Sequence, residues 1–266
     1  MSAPADPYAA IAEWYDVEHD AFTEDAECFT SLLAATHDQR ASVLEIGSGT
    51  GRLAAALAIA GYDVTGVEPS AAMRTRMAVR LARLPERVAR RIRVVAGDAS
   101  VPSLPKESRF DAAILSMNTL AHLLTSQERH QALSILHDHL RPAGRLLVDL
   151  DPLGLRRLRD TAGQLWWLGT WPLFDGQSLL THFVTGAPGP AAGIVEIVHF
   201  YDAQAPDGAL RRTVARMPLA LLSPGEVEVA LLRAGFRVEA VYGGYDLVPY
   251  DDASPRILFD ARRPEQ

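Results

Sequence analysis

The chain has 266 residues, of which 48% are apolar and 22% are charged, and its formal net charge is −7. These proportions are typical of a globular protein with one large domain and a smaller addition. The acidic balance argues against a broad binding surface for nucleic acid or an anionic membrane. A single cysteine, Cys28, excludes an internal disulfide and disfavours a cysteine-built metal site, so we expect no metal.

The first twenty residues contain several acids and no early apolar run, which is unlike a secretory signal. No segment of the sequence has the apolar length that a bilayer span needs. We therefore expect a cytoplasmic protein with no membrane partner.

Predicted helices and strands alternate through the first 151 residues. Residues 8–36 show the helical spacing of apolar side chains, and "SVLEIG" follows as a short buried strand. "GRLAAALAIAG" is a helix ending at a glycine, "DVTGVEPS" is a second strand, and Pro85 interrupts the next helix. "IRVVAGDA" and "FDAAILSM" are the third and fourth strands. A helix with a capping signal covers residues 125–140, and "RPAGRLLVDLD" is the fifth strand.

The pattern changes after the fifth strand. Around the Pro- and Gly-rich "GAPGPAAG", the segments "SLLTHFVTG", "IVEIVHFYDA" and "ALRRTVARMPLALLS" have the character of antiparallel strands. The chain then returns to a helix, "SPGEVEVALLRAGF", and two strands, "RVEAVYGGY" and "RILFDARR". This order predicts an α/β fold with a parallel sheet, helices on both faces, and a β-rich insert after strand five.

The glycine-rich turn after the first strand differs from the two common phosphate-binding loops. A dinucleotide fingerprint needs a third glycine where this chain has Arg52, and a P-loop needs a lysine that is absent here. Glu45, just before the turn, would repel a pyrophosphate and suits a ligand that carries an amine. Glu68 ends the second strand, where an acid can accept hydrogen bonds from ribose hydroxyls.

The series "LEIGSGTGR", "VTGVEPS" and "VVAGDA" resembles the class I S-adenosylmethionine-dependent methyltransferases over residues 42–150, more weakly beyond. The resemblance implies a Rossmann-like seven-stranded sheet and S-adenosylmethionine as the cofactor. It divides the chain into an N-terminal helical cap (1–40), a cofactor-binding core (41–152), a β-rich insert (153–222), and a C-terminal helix with the last two strands (223–266). The insert is predicted to act as a lid or as an element that forms a homodimer.

The same resemblance implies roles for matching residues. The three glycines of the turn would pass under the methionine part of the cofactor, and Glu45 would lie near its amino group. Glu68 would hold the ribose, and Asp98 with Ala99 would meet the adenine. The implied cofactor-binding residues are Glu45, Gly47, Ser48, Gly49, Gly51, Glu68, Pro69, Asp98, Ala99 and Ser116.

The acceptor is expected beside the segment "SMNTLAHL", which follows the fourth strand. This segment resembles the corresponding stretch of small-molecule N-methyltransferases that act on glycine or amino sugars. The predicted catalytic residues are His122, Asn118 and Tyr15, where Tyr15 would cover the cofactor. His122 is a candidate general base, and the alternative is that it fixes the loop by hydrogen bonds.

Several other polar residues have structural and functional interpretations. Asp149 and Asp151 share one strand face and could contact an amine, although Asp151 is better explained as a helix cap. Structural roles are expected for His182, His199 and Tyr201 in the insert. Residues 245–250 could line the acceptor pocket through Tyr245, Asp246 and Tyr250, or form an ordinary loop. The eight arginines between residues 74 and 93 are expected to form a solvated helix face.

The favoured function is methyl transfer to a small-molecule acceptor, with an amine nitrogen preferred over a phenolic oxygen. A natural-product O-methyltransferase and a non-catalytic cofactor-binding module are the alternatives. A nucleic-acid partner is not expected, because "SMNTLA" stands where a proline-aromatic tetrad such as N-P-P-Y would follow strand four.

Overall fold

A computed structural model describes residues 6–38, 40–99 and 103–265, with the backbone alone at Leu153. Residues 1–5 and 39 of the predicted helical cap lie outside these ranges, as do residues 100–102 of the predicted core and residue 266 of the C-terminal segment. Within the described ranges, no helix combines the length and the apolar character that a membrane crossing requires.

The core is one seven-stranded sheet. Its strands are β1 (Ser42–Ile46), β2 (Asp63–Glu68), β3 (Ile92–Ala96), β4 (Phe110–Leu115), β5 (Leu140–Leu150), β10 (Arg237–Tyr242) and β11 (Ile257–Arg262). Their order across the sheet is β10-β11-β5-β4-β1-β2-β3. β11 runs antiparallel to both neighbours, while β1 to β5 pair in parallel. This confirms the predicted Rossmann-like sheet.

Helices cover both faces of this sheet. They are α1 (Ala12–His19), α2 (Glu24–Ala34), α3 (Arg52–Ala60), α4 (Ala71–Arg83), α5 (Glu86–Ala89), α6 (Ser126–His139), α7 (Pro152–Asp160) and α8 (Pro224–Arg233). Neighbouring strand residues point to opposite faces, so Leu44 packs in a core with Leu133 of α6, whereas Val43 packs in a second core with Phe29 of α2. The order of the sequence elements thus fixes a three-layer arrangement.

The N-terminal region is not one helix over residues 8–36, as the apolar spacing predicted. It forms two helices with a break over residues 20–23. The first helix packs against the insert and not within the main core: Ile11 and Trp14 form a cluster with Leu180 and Met217. α1 therefore lies between the core and the insert, which the sequence spacing could not indicate.

The expected solvated arginine face holds only in part: Arg83, Arg87, Arg90 and Arg93 are exposed, whereas Arg74, Arg76 and Arg80 of α4 are half-buried and have partners. Arg80 pairs with Asp16 of α1 at 2.8 Å, and Arg76 pairs with the same carboxylate at 3.3 Å. Arg74 donates to the carbonyl oxygens of Glu68 and Pro69, both at 2.7 Å. These side chains are used to fasten α1 and the end of β2 to α4.

The insert is a four-stranded antiparallel sheet in the order β6-β7-β8-β9. Its strands are β6 (Trp166–Pro172), β7 (Leu179–Pro188), β8 (Ile194–Gln204) and β9 (Leu210–Ala220). Three of them were predicted; β6 was missed because its sequence, "WWLGTWP", contains Gly and Pro and lacks clean alternation. Val184, Val195 and Leu219 join the main core, so the insert packs against the core over the end of β5.

Candidate active site

A cavity of about 420 Å³ borders the carboxyl ends of β1 to β4. This is where an open α/β sheet binds its ligands. The predicted residues that line it are Tyr15, Glu45, Gly47, Ser48, Gly49, Glu68, Pro69, Asp98, Ala99, Ser116 and His122. Two predicted site residues, Gly51 and Asn118, are not part of this lining. The sheet thus gathers residues from four separate strand ends into one cavity.

The glycines of the turn have different surroundings, and each has a positive φ that favours glycine. A Cβ on Gly47 would come within 2.7 Å of Thr119 Oγ1, so this glycine lets the turn approach the loop after β4. A Cβ on Gly49 would meet nothing within 4 Å. Because Gly49 also lines the cavity, its missing side chain leaves space for a ligand to approach the backbone.

Gly51 and Arg52 explain why the turn departs from a dinucleotide loop. Gly51 precedes α3, and a Cβ there would lie 2.7 Å from Met77 Cγ, so Gly51 serves helix packing. Arg52 occupies the position of the third fingerprint glycine. Its guanidinium donates to both Asp25 oxygens at 2.7 and 2.5 Å and to the Phe22 carbonyl at 2.7 Å. The arginine therefore ties the turn to α2.

Glu45 presents a buried oxygen without a partner. Its side chain is 2% exposed, and Oε2 accepts no hydrogen bond from any described residue. Burial raises the pKa of this carboxyl to about 8, although Arg52 nearby opposes the rise. Unpartnered buried acceptors are costly, so a cationic donor in the cavity would stabilise this group.

Glu68 is held by the backbone on either side. Its Oε2 accepts the Gly49 N–H and its Oε1 accepts the Ser70 N–H, both at 2.8 Å. Burial raises its pKa despite these two hydrogen bonds. Each carboxylate oxygen has a further lone pair for a hydroxyl in the cavity. Glu68 thus links the glycine turn to the end of β2 and faces the same cavity as Glu45.

The N-terminal segment adds lining residues that the sequence analysis missed. Asp6 accepts the Ser70 hydroxyl at 2.6 Å, and Tyr8 lies 2.9 Å from His122 through its hydroxyl and Nε2. Both Asp6 and Tyr8 line the cavity. Neither belongs to a motif, and only their position after folding places them near β2 and the loop after β4.

A second cavity, of about 500 Å³, adjoins the first between α1, α7 and the insert sheet. Tyr8, Tyr15, Met117 and His122 line both cavities, so they form the junction. Burial lowers the pKa of His122 to about 4, which keeps the imidazole neutral at neutral pH. The walls of the second cavity are largely apolar and aromatic, with acidic and imidazole groups among them. Its insert and α7 residues include Leu155, Leu158, Trp166, Trp167, His182, Val184, Ile197, His199, Tyr201 and Met217.

Asn118 and Asp151 shape the loop beside this junction. Asn118 has a positive φ of 65°, and its Oδ1 accepts the Asp151 N–H at 2.7 Å. Asp151 caps α7 as expected by accepting the Gly154 N–H at 2.8 Å. Both residues line the second cavity. The Asn118 side chain is thus committed to positioning the start of α7.

Other predicted polar residues lie elsewhere. Asp149 is fully buried, where it accepts from Tyr245 and Arg256 at 2.8 and 2.9 Å and from the Met117 N–H at 2.8 Å. It therefore does not face an acceptor amine. Tyr245, Asp246 and Tyr250 line neither of the two joined cavities. Asp149 is thus occupied by Arg256 and Tyr245, whereas Asp151, the other candidate at this strand end, lines the second cavity. For residues 245–250 the alternative of an ordinary loop fits these two cavities better.

The comparisons with known proteins agree with this geometry. A family described as a methyltransferase domain matches residues 43–144. The CcbJ methyltransferase of Streptomyces caelestis superposes with a TM-score of 0.79 and 26% identity over 97% of this chain and 99% of that one. Residues 43–144 therefore match a methyltransferase domain, and the whole chain resembles a methyltransferase of known structure.

Two curated proteins are similar to this chain in sequence. An uncharacterized methyltransferase of Alkaliphilus oremlandii is 34% identical over 44% of this chain and 50% of its own length. The cypemycin N-terminal methyltransferase of a Streptomyces species is 27% identical over 82% of this chain and 81% of its own length. The match spans about half the length of the first of these relatives.

The residues that line the first cavity fit S-adenosylmethionine, the cofactor that the resemblance implies. The orphaned Glu45 oxygen suits a protonated amino group, and the open space at Gly49 suits close approach to the backbone. The Glu68 carboxylate lies at the end of β2, where ribose hydroxyls would meet it.

Proposed function

We propose that this methyltransferase transfers a methyl group from S-adenosylmethionine to an amine nitrogen of a small-molecule acceptor. The observation that carries the proposal is the junction of the two cavities. The first contains the glycine turn, Glu45 and Glu68, and the second is walled by α1, α7 and the insert sheet. A donor in the first cavity and an acceptor in the second would meet beside Tyr8, Tyr15, Met117 and His122.

The residues of the first cavity would hold the cofactor as follows. Glu45 accepts its amino group, the backbone at Gly49 passes close to it, and Glu68 accepts its ribose hydroxyls. Asp98 and Ala99, which line the same cavity, would meet its adenine. The cofactor supplies a methyl group on a positively charged sulfur, which leaves without acid catalysis.

The residues at the junction align the reaction and keep water out. Displacement of this kind depends on holding nucleophile, methyl carbon and leaving sulfur in line. Tyr15 stacks on His19 with ring centroids 4.1 Å apart, and Tyr8 contacts His122 at 5.7 Å between ring centroids. These aromatic groups from α1 and its leading turn form a cover above the loop after β4. Asn118 and Asp151 hold the base of that loop.

An amine is favoured over a phenol for two reasons. The second cavity contains the carboxylates of Glu18 and Asp151, which attract an ammonium group. The relative with 81% coverage is named for methylation at an N-terminus. The insert, which walls this cavity with Trp166 and Trp167, would then act as a lid over the acceptor. Trp167 is 64% exposed, so its ring is available to a bound molecule.

The test is formation of S-adenosylhomocysteine from S-adenosylmethionine with a defined acceptor panel. The panel contains glucosamine, alanine-initiated peptides, benzylamine and phenol, and products are identified by mass spectrometry. We expect at least one amine to gain 14 Da. The matched variants are Gly49→Val, which should be inactive, and His130→Gln, an exposed α6 change that should be silent. If phenol alone is methylated, the acceptor atom is an oxygen and the amine proposal is wrong. If S-adenosylmethionine binds but no acceptor is methylated, the protein is not an enzyme for these acceptors.

A further inference from the structure

Four polar side chains in the second cavity form a continuous hydrogen-bonded chain. His182 Nδ1 lies 2.9 Å from Glu18 Oε1, and His182 Nε2 lies 3.0 Å from His199 Nδ1. Tyr201 donates its hydroxyl to Glu18 Oε2 at 3.0 Å. Four polar groups of the cavity are thus joined end to end, from α1 across β7 to β8.

The insert sheet brings these groups together through its register. His182 of β7 lies directly opposite Tyr201 of β8, and His199 is two residues from Tyr201 on the same face. The rings stack, with centroids 3.9 Å apart for His182 and Tyr201 and 5.2 Å apart for His182 and His199. Glu18 of α1 lies beside these rings and hydrogen-bonds to both His182 and Tyr201. From the sequence, structural roles are expected for these residues, because only the register of the folded sheet reveals this row of side chains.

The partners determine which nitrogens carry protons. Burial raises the pKa of Glu18, but hydrogen bonds from His182 and Tyr201 and the nearby His19 outweigh it, so the pKa of Glu18 lies below its usual value. The ionised carboxylate accepts from His182 Nδ1–H, and His182 Nε2 then accepts from His199 Nδ1–H. His199 Nε2 consequently has a free lone pair. No described residue hydrogen-bonds this nitrogen, and the half-buried ring lines the second cavity.

We propose that Glu18, His182 and His199 form a relay that takes the proton of the acceptor amine at Nε2 of His199. The proposal rests on methyl transfer as proposed above. The acceptor ammonium gives its proton to Nε2 as its nitrogen lone pair becomes free, and His199 passes its Nδ1 proton to His182 Nε2. The new N–C bond forms and the C–S bond of the donor breaks. His182 ends as an imidazolium ion paired with the Glu18 carboxylate, and His199 ends neutral with its proton on Nε2. Two proton transfers have thus moved one positive charge from the amine to His182.

A single buried histidine would not hold the proton taken from the amine, whereas the relay passes the charge to a residue beside a carboxylate. Burial and the neighbouring His182 lower the pKa of His199 to about 3, so this ring alone would not keep a proton. The charge comes to rest on His182, where a carboxylate is 2.9 Å away. His122 has a similarly low pKa, but its Nε2 contacts the Tyr8 hydroxyl and no carboxylate supports it. His199 is therefore the better proton acceptor in this cavity.

Other charged and titratable groups also surround the row. Those nearest His199 are Glu18 and His19 on α1, His182 on β7, and His122 after β4. Asp151, Arg157 and Arg256 line the same cavity. Arg157 stacks over the Trp166 ring at 3.9 Å, and Arg256 is paired with Asp149. Their side chains are therefore engaged with other partners, and Glu18 is the carboxylate hydrogen-bonded to the row.

The test compares single-turnover rates from pH 6 to pH 10 with an amine that the wild-type protein methylates. We expect His199→Gln to reduce the rate about 10²–10³-fold at pH 7, and by less than about tenfold at pH 10, where solvent deprotonates the amine. Glu18→Gln should show the same pH-dependent loss, and the double variant should be no slower than His199→Gln, because the residues act as one unit. Cofactor affinity, measured by calorimetry, should not change. His130→Gln is the matched control.

A wild-type pH profile in His199→Gln, or an equal loss at every pH, would overturn the relay. A second measurement needs no acceptor: long-range ¹H–¹⁵N spectra of histidine-labelled protein at pH 8, assigned with the single variants. They should place the His199 proton on Nδ1, and a proton on Nε2 would overturn the relay as well. If the wild-type protein methylates no amine, the proposed function fails, and the spectra alone decide whether the proton arrangement exists.

Discussion

The Tyr8 hydroxyl lies 2.9 Å from Nε2 of His122, across 114 positions of sequence. This contact closes the junction between the two cavities and occupies one of the two nitrogens of the ring. Together with the low pKa of His122, it favours a positioning role over general-base catalysis. Both roles were open from the sequence.

His122→Asn should therefore keep much of the activity. We expect its single-turnover rate to fall by less than about tenfold and its pH profile from pH 6 to pH 10 to match that of the wild-type protein. Tyr8→Phe, which removes the partner hydroxyl, should have an effect of similar size. A rate loss of about 10²–10⁴-fold in His122→Asn at pH 7 that shrinks towards pH 10 would instead identify His122 as the base.

Glu45 should release a proton when the cofactor binds. Its folded pKa of about 8 lies above pH 7, so the empty site holds a mostly protonated carboxyl. A cationic amino group favours the ionised form and lowers that pKa, so most of one proton should leave at pH 7 and progressively less as the pH rises above 8. Calorimetry in buffers of different ionisation enthalpy measures this number. Glu45→Gln should bind more weakly and release none; equal release in both proteins would place the titrating group elsewhere.

Glu68→Ala should weaken S-adenosylmethionine binding at least about tenfold, since a hydrogen bond to a charged group contributes roughly 1.5–3 kcal/mol. The variant should also melt at a lower temperature without ligand, because the N–H groups of Gly49 and Ser70 lose their acceptor. Calorimetry and thermal unfolding measure the two effects. Unchanged affinity would remove Glu68 from the cofactor site.

Gly49→Ala and Gly51→Ala form a matched pair of glycine substitutions at positive φ. Both should lose about 1–2 kcal/mol of stability to backbone strain. A Cβ on Gly49 points into open space in the cavity, so this variant should lose cofactor affinity. A Cβ on Gly51 meets Met77, so that variant should lose further stability and keep more of its affinity. If Gly51→Ala lost more cofactor affinity and Gly49→Ala lost more stability, Gly51 would be the residue that approaches the cofactor and Gly49 the one that serves packing.

Local sequence signals were sufficient to predict the strands of the seven-stranded sheet and the glycine-rich turn. Short apolar strands, capping residues and glycines act within a few residues of one another, so their spacing survives in the sequence. The break of the N-terminal helix, the strand β6 and the paired arginines of α4 did not follow from local signals. Each depends on a partner distant in sequence: α1 packs on the insert, β6 pairs with β7, and Arg80 pairs with Asp16.

The sequence by itself determined the fold class, the family resemblance, and the motif residues at the strand ends of the first cavity, because these residues follow the carboxyl ends of consecutive strands. Asp6 and Tyr8 of the same cavity belong to no motif and were found only in the structure. The tertiary structure alone decided the junction and the second cavity. Tyr8, Glu18, His182 and His199 come from three separated segments and have no common spacing. They meet only because apolar packing brings α1 against the insert sheet and the register of β7 and β8 aligns their side chains on one face.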